Sequence, residues 1–333
     1  MPTEPNERFN IDDIPNMPLR EQLMSFPEQA EFSMDIDIGP VPKADKVCIF
    51  ALGESSIAGE IVSAYADDYS SIAIPTVSDG RIPLWVDRST CAIIVSYTGD
   101  NEVINNIYRI LHGRRCKIYV ISSGGNLQYL CAKNRDRFIQ VKAGLTPRSA
   151  TGFELGILCS LIQKMGICRT YDRLKELIPV MKEYRDSLPE DNRVEKLEFK
   201  LWENTIAVYG SPDIRASFKR WKMSLNNDMG FPAYCGELPE FNHNEIVGWA
   251  NHNQNADDLR IVVLRGKYKS EVLSDIIDKM IEVLEENGRH VMDIHLLGSD
   301  PMEKNIRGIL LGDYISQELM AANGCTDLKE WMP

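Results

Sequence analysis

Three pairs of hydroxyl residues stand directly after short apolar runs: Ser55 and Ser56 after VCIFALGE, Ser96 and Thr98 around the end of CAIIV, and Ser122 and Ser123 after KIYVI. If each run is a strand of a parallel sheet, these residues lie where the next helix begins. There, unpaired N–H groups and the positive end of the helix dipole point outward. Hydroxyls combined with such amides suit a phosphate monoester, whose oxygens each accept several hydrogen bonds. Serine also caps helices for local reasons, so one such turn alone reads as a cap before it reads as a site. No G-x-G-x-x-G or G-x-x-x-x-G-K-[ST] follows any run, which argues against dinucleotide and P-loop chemistry. The five histidines (His112, His243, His252, His290, His295) form no H-E-x-x-H, and the eight cysteines include no C-x-x-C, so no metal site is expected. Reduced, mostly buried thiols are the simpler reading of the cysteines.

The elements that would position these residues follow from the pattern of the chain. Residues 1–40 are rich in proline and acid and read as an arm packed on the outside of a domain. From residue 46 the runs VCIFALGESS, CAIIVSYTGD, KIYVISSGG and FIQVKAG alternate with helix-like segments, the rhythm of a doubly wound α/β domain over residues 41–168. Val103, Ile104, Ile107, Tyr108 and Leu111 make one helical stripe, and Thr151 to Met165 is apolar nearly all round, as in a buried helix. Residues 169–203 are charge-rich with apolar residues at helical spacing, which suggests exposed helices connecting two halves. Over residues 204–333 the rhythm returns: NTIAVYGS, a helix from Pro212 to Asp228, LRIVVLRG, a helix, HVMDIHLLG and a last helix. In the penultimate helix Val272, Leu273, Ile276, Ile277, Met280, Ile281 and Leu284 share a face. The expected architecture is two tandem doubly wound parallel-sheet domains.

A chain of 333 residues is long enough for two such domains at roughly 150 residues each. Its net charge of −12 and the lack of a basic cluster argue against a nucleic-acid or anionic-membrane partner. No apolar run approaches the roughly 20 residues that span a bilayer, and the N-terminus lacks a signal-peptide pattern, so a cytoplasmic location is expected.

The segments GESSIAGE (53–60), SYTGDNE (96–102), SSGG (122–125), TPRSATGF (146–153), FKRWKMSLNN (218–227) and LPEFNHNEIVGW (238–249) resemble, in order, the bifunctional phosphoglucose/phosphomannose isomerases. That family is built from two sugar isomerase (SIS) domains. The resemblance implies interconversion of glucose 6-phosphate or mannose 6-phosphate with fructose 6-phosphate by proton transfer through an enediol, without metal or cofactor. It implies that Gly53, Glu54, Ser55, Ser96, Thr98 and Asn101 line the phosphate and that Arg148 steadies enediolate charge. It implies too that His243 opens the sugar ring from a partner subunit, hence a homodimer, and it makes Lys329 a candidate for the family's C-terminal lysine. A guanidinium's fixed donors and an imidazole near its own pKa are suited to those tasks.

The chain departs from the family's pattern at its first turn, where Ala51 and Glu54 replace glycines and Glu54 brings a carboxylate beside the expected phosphate. Asn101 replaces a threonine whose loss its amide can partly make good. The larger departure is Asn227, which falls at the position of the proton-shuttling carboxylate: an amide cannot abstract a proton, and a lost base costs roughly 10²-fold to 10⁴-fold in rate. Asp228, Glu240 and Glu245 are candidate substitutes, with Asp228 about 100° further round a helix than Asn227. Two alternatives stay open beside a slowed isomerase: a catalytically silent sugar-phosphate-binding or regulatory protein, and an enzyme of N-acetylated amino-sugar phosphates.

Overall fold

The computed structural model describes residues 9–201, 204–230, 232–251, 258–266 and 271–322. The chain divides into two compact units between Lys182 and Glu183.

The first unit begins with α1 (Leu19–Met24) and α2 (Phe26–Met34). It continues through β1 (Val47–Ala51), α3 (Ser56–Tyr69), β2 (Thr76–Val77), β3 (Cys91–Val95), α4 (Glu102–Gly113), β4 (Lys117–Ser122), α5 (Gly125–Asn134), β5 (Arg137–Gln140) and α6 (Thr151–Met165). The division falls within α7 (Thr170–Ser187). The sheet is parallel, in the order β2-β1-β3-β4-β5. Every residue of β1 and β3 is buried, because helices cover both faces of a parallel sheet, and this is why both strands read as unbroken apolar runs.

The N-terminal segment is less of an arm than its composition suggests. α2 lies directly on α6, with Phe26, Ala30, Ser33 and Met34 buried. The approach is close because α6 presents glycines: a Cβ on Gly156 would lie 2.1 Å from Ser33 Oγ and 2.6 Å from the Ala30 carbonyl, and one on Gly152 would lie 2.5 Å from the Phe26 carbonyl.

The second unit holds α8 (Asn192–Leu201), β6 (Thr205–Gly210), α9 (Arg215–Met229), β7 (Ala233–Glu237), α10 (Phe241–Asn244), α11 (Ile246–Ala250), β8 (Leu259–Arg265), α12 (Glu271–Glu286), β9 (His290–His295) and α13 (Pro301–Ala322). Its parallel sheet runs β7-β6-β8-β9. α7 and α8, expected as exposed helices, each bury an apolar stripe: Leu174, Leu177, Ile178 and Met181 on one, Val194, Leu197 and Leu201 on the other. α12 does the reverse. Ile277, Met280, Ile281 and Leu284 are buried, but Val272 is 67% and Ile276 42% exposed; each lies about 100° round the helix from its successor, beyond the reach of the sheet. Two strands, β2 and β7, are absent from the sequence reading. Both are edge strands whose extended form comes from pairing with β1 and β6 rather than from an apolar run of their own. No described helix is long and apolar enough to cross a membrane.

α9 is held to α13 by a buried ion pair. Arg220 donates through Nε to Asp313 Oδ1 at 2.7 Å and through Nη2 to Oδ2 at 2.9 Å, and Ser224 Oγ donates to the same carboxylate at 2.7 Å. Trp221 Nε1 donates to the Gly308 carbonyl at 2.7 Å. Taking one partner from a buried pair strands the other, at about 3–5 kcal/mol. Asp313→Ala is therefore expected to destabilise the second unit by about that amount in urea unfolding, and a loss below about 1 kcal/mol would contradict this account of the α9–α13 contact.

Candidate functional site

In the first unit the chain leaves β1 for β2 on one side and for β3 on the other, so the crevice at the carboxyl ends of β1 and β3 is the topological switch point, where open α/β sheets bind ligands. Two turns lead out of it: the 3-10 turn Gly53–Ser55 into α3, and residues 96–101 into α4. A third turn, the 3-10 segment Pro147–Ala150 before α6, packs beside the first and brings Arg148, half-buried, next to Gly53–Ser55. Gly53, Glu54, Ser55, Ser96, Thr98, Asn101 and Arg148 thus all lie in the turns of this end of the sheet.

A hydroxyl has one proton to give, and the hydrogen bonds separate the six candidates by where that proton goes. Ser55 Oγ donates to Glu154 Oε1 at 2.8 Å while accepting from the Tyr97 backbone N–H at 3.3 Å. Ser56 Oγ donates to the Gly53 carbonyl at 2.6 Å, a local cap. Ser122 and Ser123 both donate to the Tyr97 carbonyl, at 3.1 and 2.7 Å. Ser96 differs. It is 6% exposed, its backbone N–H pairs with Ile121 in the ladder, and among the described residues its Oγ has no hydrogen-bond partner. Thr98 is exposed and its Oγ1 only accepts, from the Asp100 N–H at 3.4 Å, so its proton too is uncommitted. Asn101 caps α4, its Oδ1 accepting from the Ile104 N–H at 3.1 Å, and its amide NH₂ remains exposed toward solvent at the helix start.

The turn at 96–101 is braced against the one after β4. Gly99 holds φ +72°, and a Cβ there would fall 2.0 Å from the Gly124 carbonyl; Gly125, at φ +70°, would put its Cβ 2.2 Å from the Thr98 carbonyl. Asp100 Oδ1 accepts from the Asn126 N–H at 2.8 Å, so this carboxylate is spent on the neighbouring helix start. The phenol of Tyr97 donates to the Lys142 carbonyl at 3.0 Å and accepts from the Leu145 N–H at 2.7 Å, and burial raises its pKa above the ordinary tyrosine value, which keeps it a donor. Sequence reasoning missed both Tyr97 and Glu154. Tyr97 lies inside the segment SYTGDNE without being singled out, and Glu154 lies within the nearly all-apolar α6; a fully buried carboxylate in such a helix is itself a signal.

The second unit carries the other candidates. Asn227 is exposed near the end of α9. Its neighbour Asn226 is structural, donating to the Ala233 carbonyl at 2.8 Å and accepting from the Ala233 N–H at 3.2 Å, which ties α9 to β7. Asp228 is buried and turned to α13, its Oδ2 accepting from Ser316 Oγ at 2.9 Å and Gln317 Nε2 at 2.8 Å, so it does not share the exposed face of Asn227. His243 is exposed in α10. Glu240 accepts from Asn244 Nδ2 at 2.6 Å, and Glu245 accepts from the Tyr209 hydroxyl and from Trp249 Nε1 at 3.3 Å. Glu237, at the carboxyl end of the unread strand β7, accepts from Arg215 Nε at 2.5 Å. At this unit's own switch point the turn is filled by the protein's charges: Ser211 Oγ donates to Asp213, and Lys304 Nζ lies 3.6 Å from Asp213 Oδ2. Lys329 lies outside the described residues.

Residues 190–326 match the family of bacterial phospho-glucose isomerase C-terminal SIS domains. The bifunctional phosphoglucose/phosphomannose isomerase of Caldicellulosiruptor bescii is 29% identical over 315 residues, covering 89% of this chain and 91% of that one. The enzyme of the same description from Thermoplasma volcanium is 28% identical over 314 residues, 92% and 94% of the two chains. Among solved structures, the C-terminal domain of glucosamine-fructose-6-phosphate aminotransferase from Francisella tularensis superposes with a TM-score of 0.69 at 15% identity, covering 93% and 97% of the chains, a likeness of fold. The resemblance to the bifunctional phosphoglucose/phosphomannose isomerases thus extends over most of the chain, and it is the second α/β unit that matches a SIS-domain family.

The interlock of the two turns yields a prediction. Gly99→Ala adds a side chain where φ is positive and the Gly124 carbonyl stands in the way. It is expected to lower stability by about 2 kcal/mol or more in thermal or urea unfolding. A variant as stable as wild type would mean that the two turns are not braced on each other.

Proposed function

We propose that this chain is a sugar-phosphate aldose–ketose isomerase acting on glucose 6-phosphate or mannose 6-phosphate and fructose 6-phosphate, slowed by the amide at position 227. The observation that carries the reading is Ser96: a buried hydroxyl without a partner among the described residues, at the switch point and beside the exposed Thr98 and Asn101 at a helix start. A phosphate oxygen is the acceptor that such an arrangement fits, and the curated relatives are isomerases of phosphorylated hexoses. The 1,2 shift is redox-neutral: a proton leaves C2 of the open-chain aldose and one is returned to C1. Arg148, half-buried beside the first turn, supplies guanidinium donors for the enediolate oxygens. His243 serves ring opening in the site of a partner subunit, which requires a homodimer.

Asn227 favours a second reading, a silent sugar-phosphate binder or regulator. The burial of Asp228 under Ser316 and Gln317 strengthens it by turning the adjacent acid away from that position. Deuterium wash-in at C1 of fructose 6-phosphate, or at C2 of glucose 6-phosphate, separates the two. In the isomerase reading wild type exchanges slowly, and Asn227→Glu raises the rate by a measurable part of the roughly 10²-fold to 10⁴-fold that a positioned base contributes. Binding of fructose 6-phosphate with no exchange in either protein would leave the silent binder. If wild type exchanges fast and Glu240→Gln or Glu245→Gln abolishes it, one of those acids has taken over the base role.

The assembly is tested by light scattering. A dimer is expected at micromolar concentration, and His243→Ala is expected to leave the mass unchanged while lowering turnover more on the ring-closed sugar than on its open-chain form. A monomer at every concentration would remove the role given to His243.

A further inference from the structure

α10 and α11 are four and five residues long. Helices that short do not hold their shape by their own hydrogen bonds, so the place of His243, exposed in the first of them, has to be fixed from outside the segment. Two inward side chains do this, each two residues from His243. Phe241 is 1% exposed and sets its ring edge-on against that of Tyr209, with centroids 4.4 Å apart. Glu245, on the other side, accepts through Oε2 from the Tyr209 hydroxyl and from Trp249 Nε1 at 3.3 Å. Trp249 Nε1, which can only donate, also reaches the Tyr209 oxygen at 3.0 Å. The three side chains close a triangle of hydrogen bonds that joins β6, the elbow between α10 and α11, and the body of α11. Burial and the bond to Glu245 raise the pKa of the Tyr209 phenol above the ordinary value, which keeps its proton in that triangle. Past it, Arg289 donates to the Trp249 carbonyl at 2.6 Å and to the Asn251 carbonyl at 2.5 Å. The imidazole of His243 has no hydrogen-bond partner among the described residues, so it is aimed through the backbone that these anchors hold.

Resting on the reading of His243 as the residue that opens the sugar ring, we propose that Glu245 is a positioning residue for it: a carboxyl that clamps the elbow between α10 and α11 to Tyr209 and Trp249, and so fixes where the imidazole is presented. The role needs an acceptor oxygen at this place and no negative charge. It also withdraws Glu245 from the acids able to replace a base at position 227.

The test follows ring opening alone. Opening glucose 6-phosphate breaks the C1–O5 bond, places a proton on O5 and takes one from the anomeric hydroxyl. C2 keeps its proton, so the step is read whatever stands at position 227. Its rate is measured by exchange NMR as interconversion of the α and β anomers, with and without protein. Wild type is expected to accelerate it, and His243→Ala to remove the acceleration. Glu245→Ala should lose about tenfold to 10²-fold, the cost of misplacing a group by an ångström or so. Tyr209→Phe, which keeps the aromatic ring and removes the hydroxyl, should lose part of that. Glu245→Gln keeps an acceptor oxygen and should restore the rate to within about threefold of wild type, with an unchanged pH profile. A merely structural carboxyl would move the melting temperature and leave the rate of anomer exchange alone.

Full acceleration by Glu245→Ala where His243→Ala has none overturns the proposal and leaves the reading of His243 standing. A loss in Glu245→Gln as deep as in Glu245→Ala also overturns it, since the carboxyl would then move a proton itself. If Glu245→Ala does not fold, or does not reach the mass of wild type in light scattering, Tyr209→Phe decides: a loss greater than about threefold supports the clamp and a smaller one overturns it. Absence of acceleration by wild type removes the role of His243, and this assignment with it.

Discussion

Tyr97 is the fixed point of the first unit. Its N–H donates to Ser55, its carbonyl accepts from Ser122, Ser123 and the Ser123 N–H, and its phenol spans the Lys142 carbonyl and the Leu145 N–H. One residue thereby ties together the turns after β1, β3 and β4 and the loop that leads to Arg148. Its neighbours in the chain, Ser96 and Thr98, are the two hydroxyls left with protons to give.

The parts of the fold visible in the sequence are those where an element's burial is written into its composition. β1, β3, β4, β6 and β8 are buried along nearly their whole length, and their apolar runs announce them. β2 and β7 are edge strands whose residues, Ala233 apart, are half-buried or exposed, so no run marks them, and with β7 went Glu237 and its ion pair with Arg215. The turns were legible for the same reason as the strands, since glycine and hydroxyl residues punctuate each run. The state of each hydroxyl was not legible, because Ser55 and Glu154 are 99 residues apart and a hydrogen bond over that separation leaves no local pattern. The α12 stripe misled in the other direction: seven apolar residues share a face, and the sheet covers only part of it.

The two units use one topology to different ends. At the first switch point the turns leave buried polar capacity unspent. At the second, Asp213 and Lys304 answer each other, and Ser211 is taken by Asp213. Beyond it, α9 is bolted to α13 through Arg220, Asp313, Trp221 and Asp228, and Asn227 lies exposed on the same helix.

The close seat of α2 on α6 bears on how the chain is made. Ser33 and Met34 meet Gly152 and Ser160 across sequence separations of 119 and 126 residues. α2, made well ahead of α6, therefore has no surface to bury itself on until that later helix has been synthesised. During that interval its apolar face is open to solvent or to chaperones, and the first unit closes in one late event rather than by accretion from its N-terminus. The sheet can assemble strand by strand, but the segment that seals its flank is held in waiting until α6 has been made.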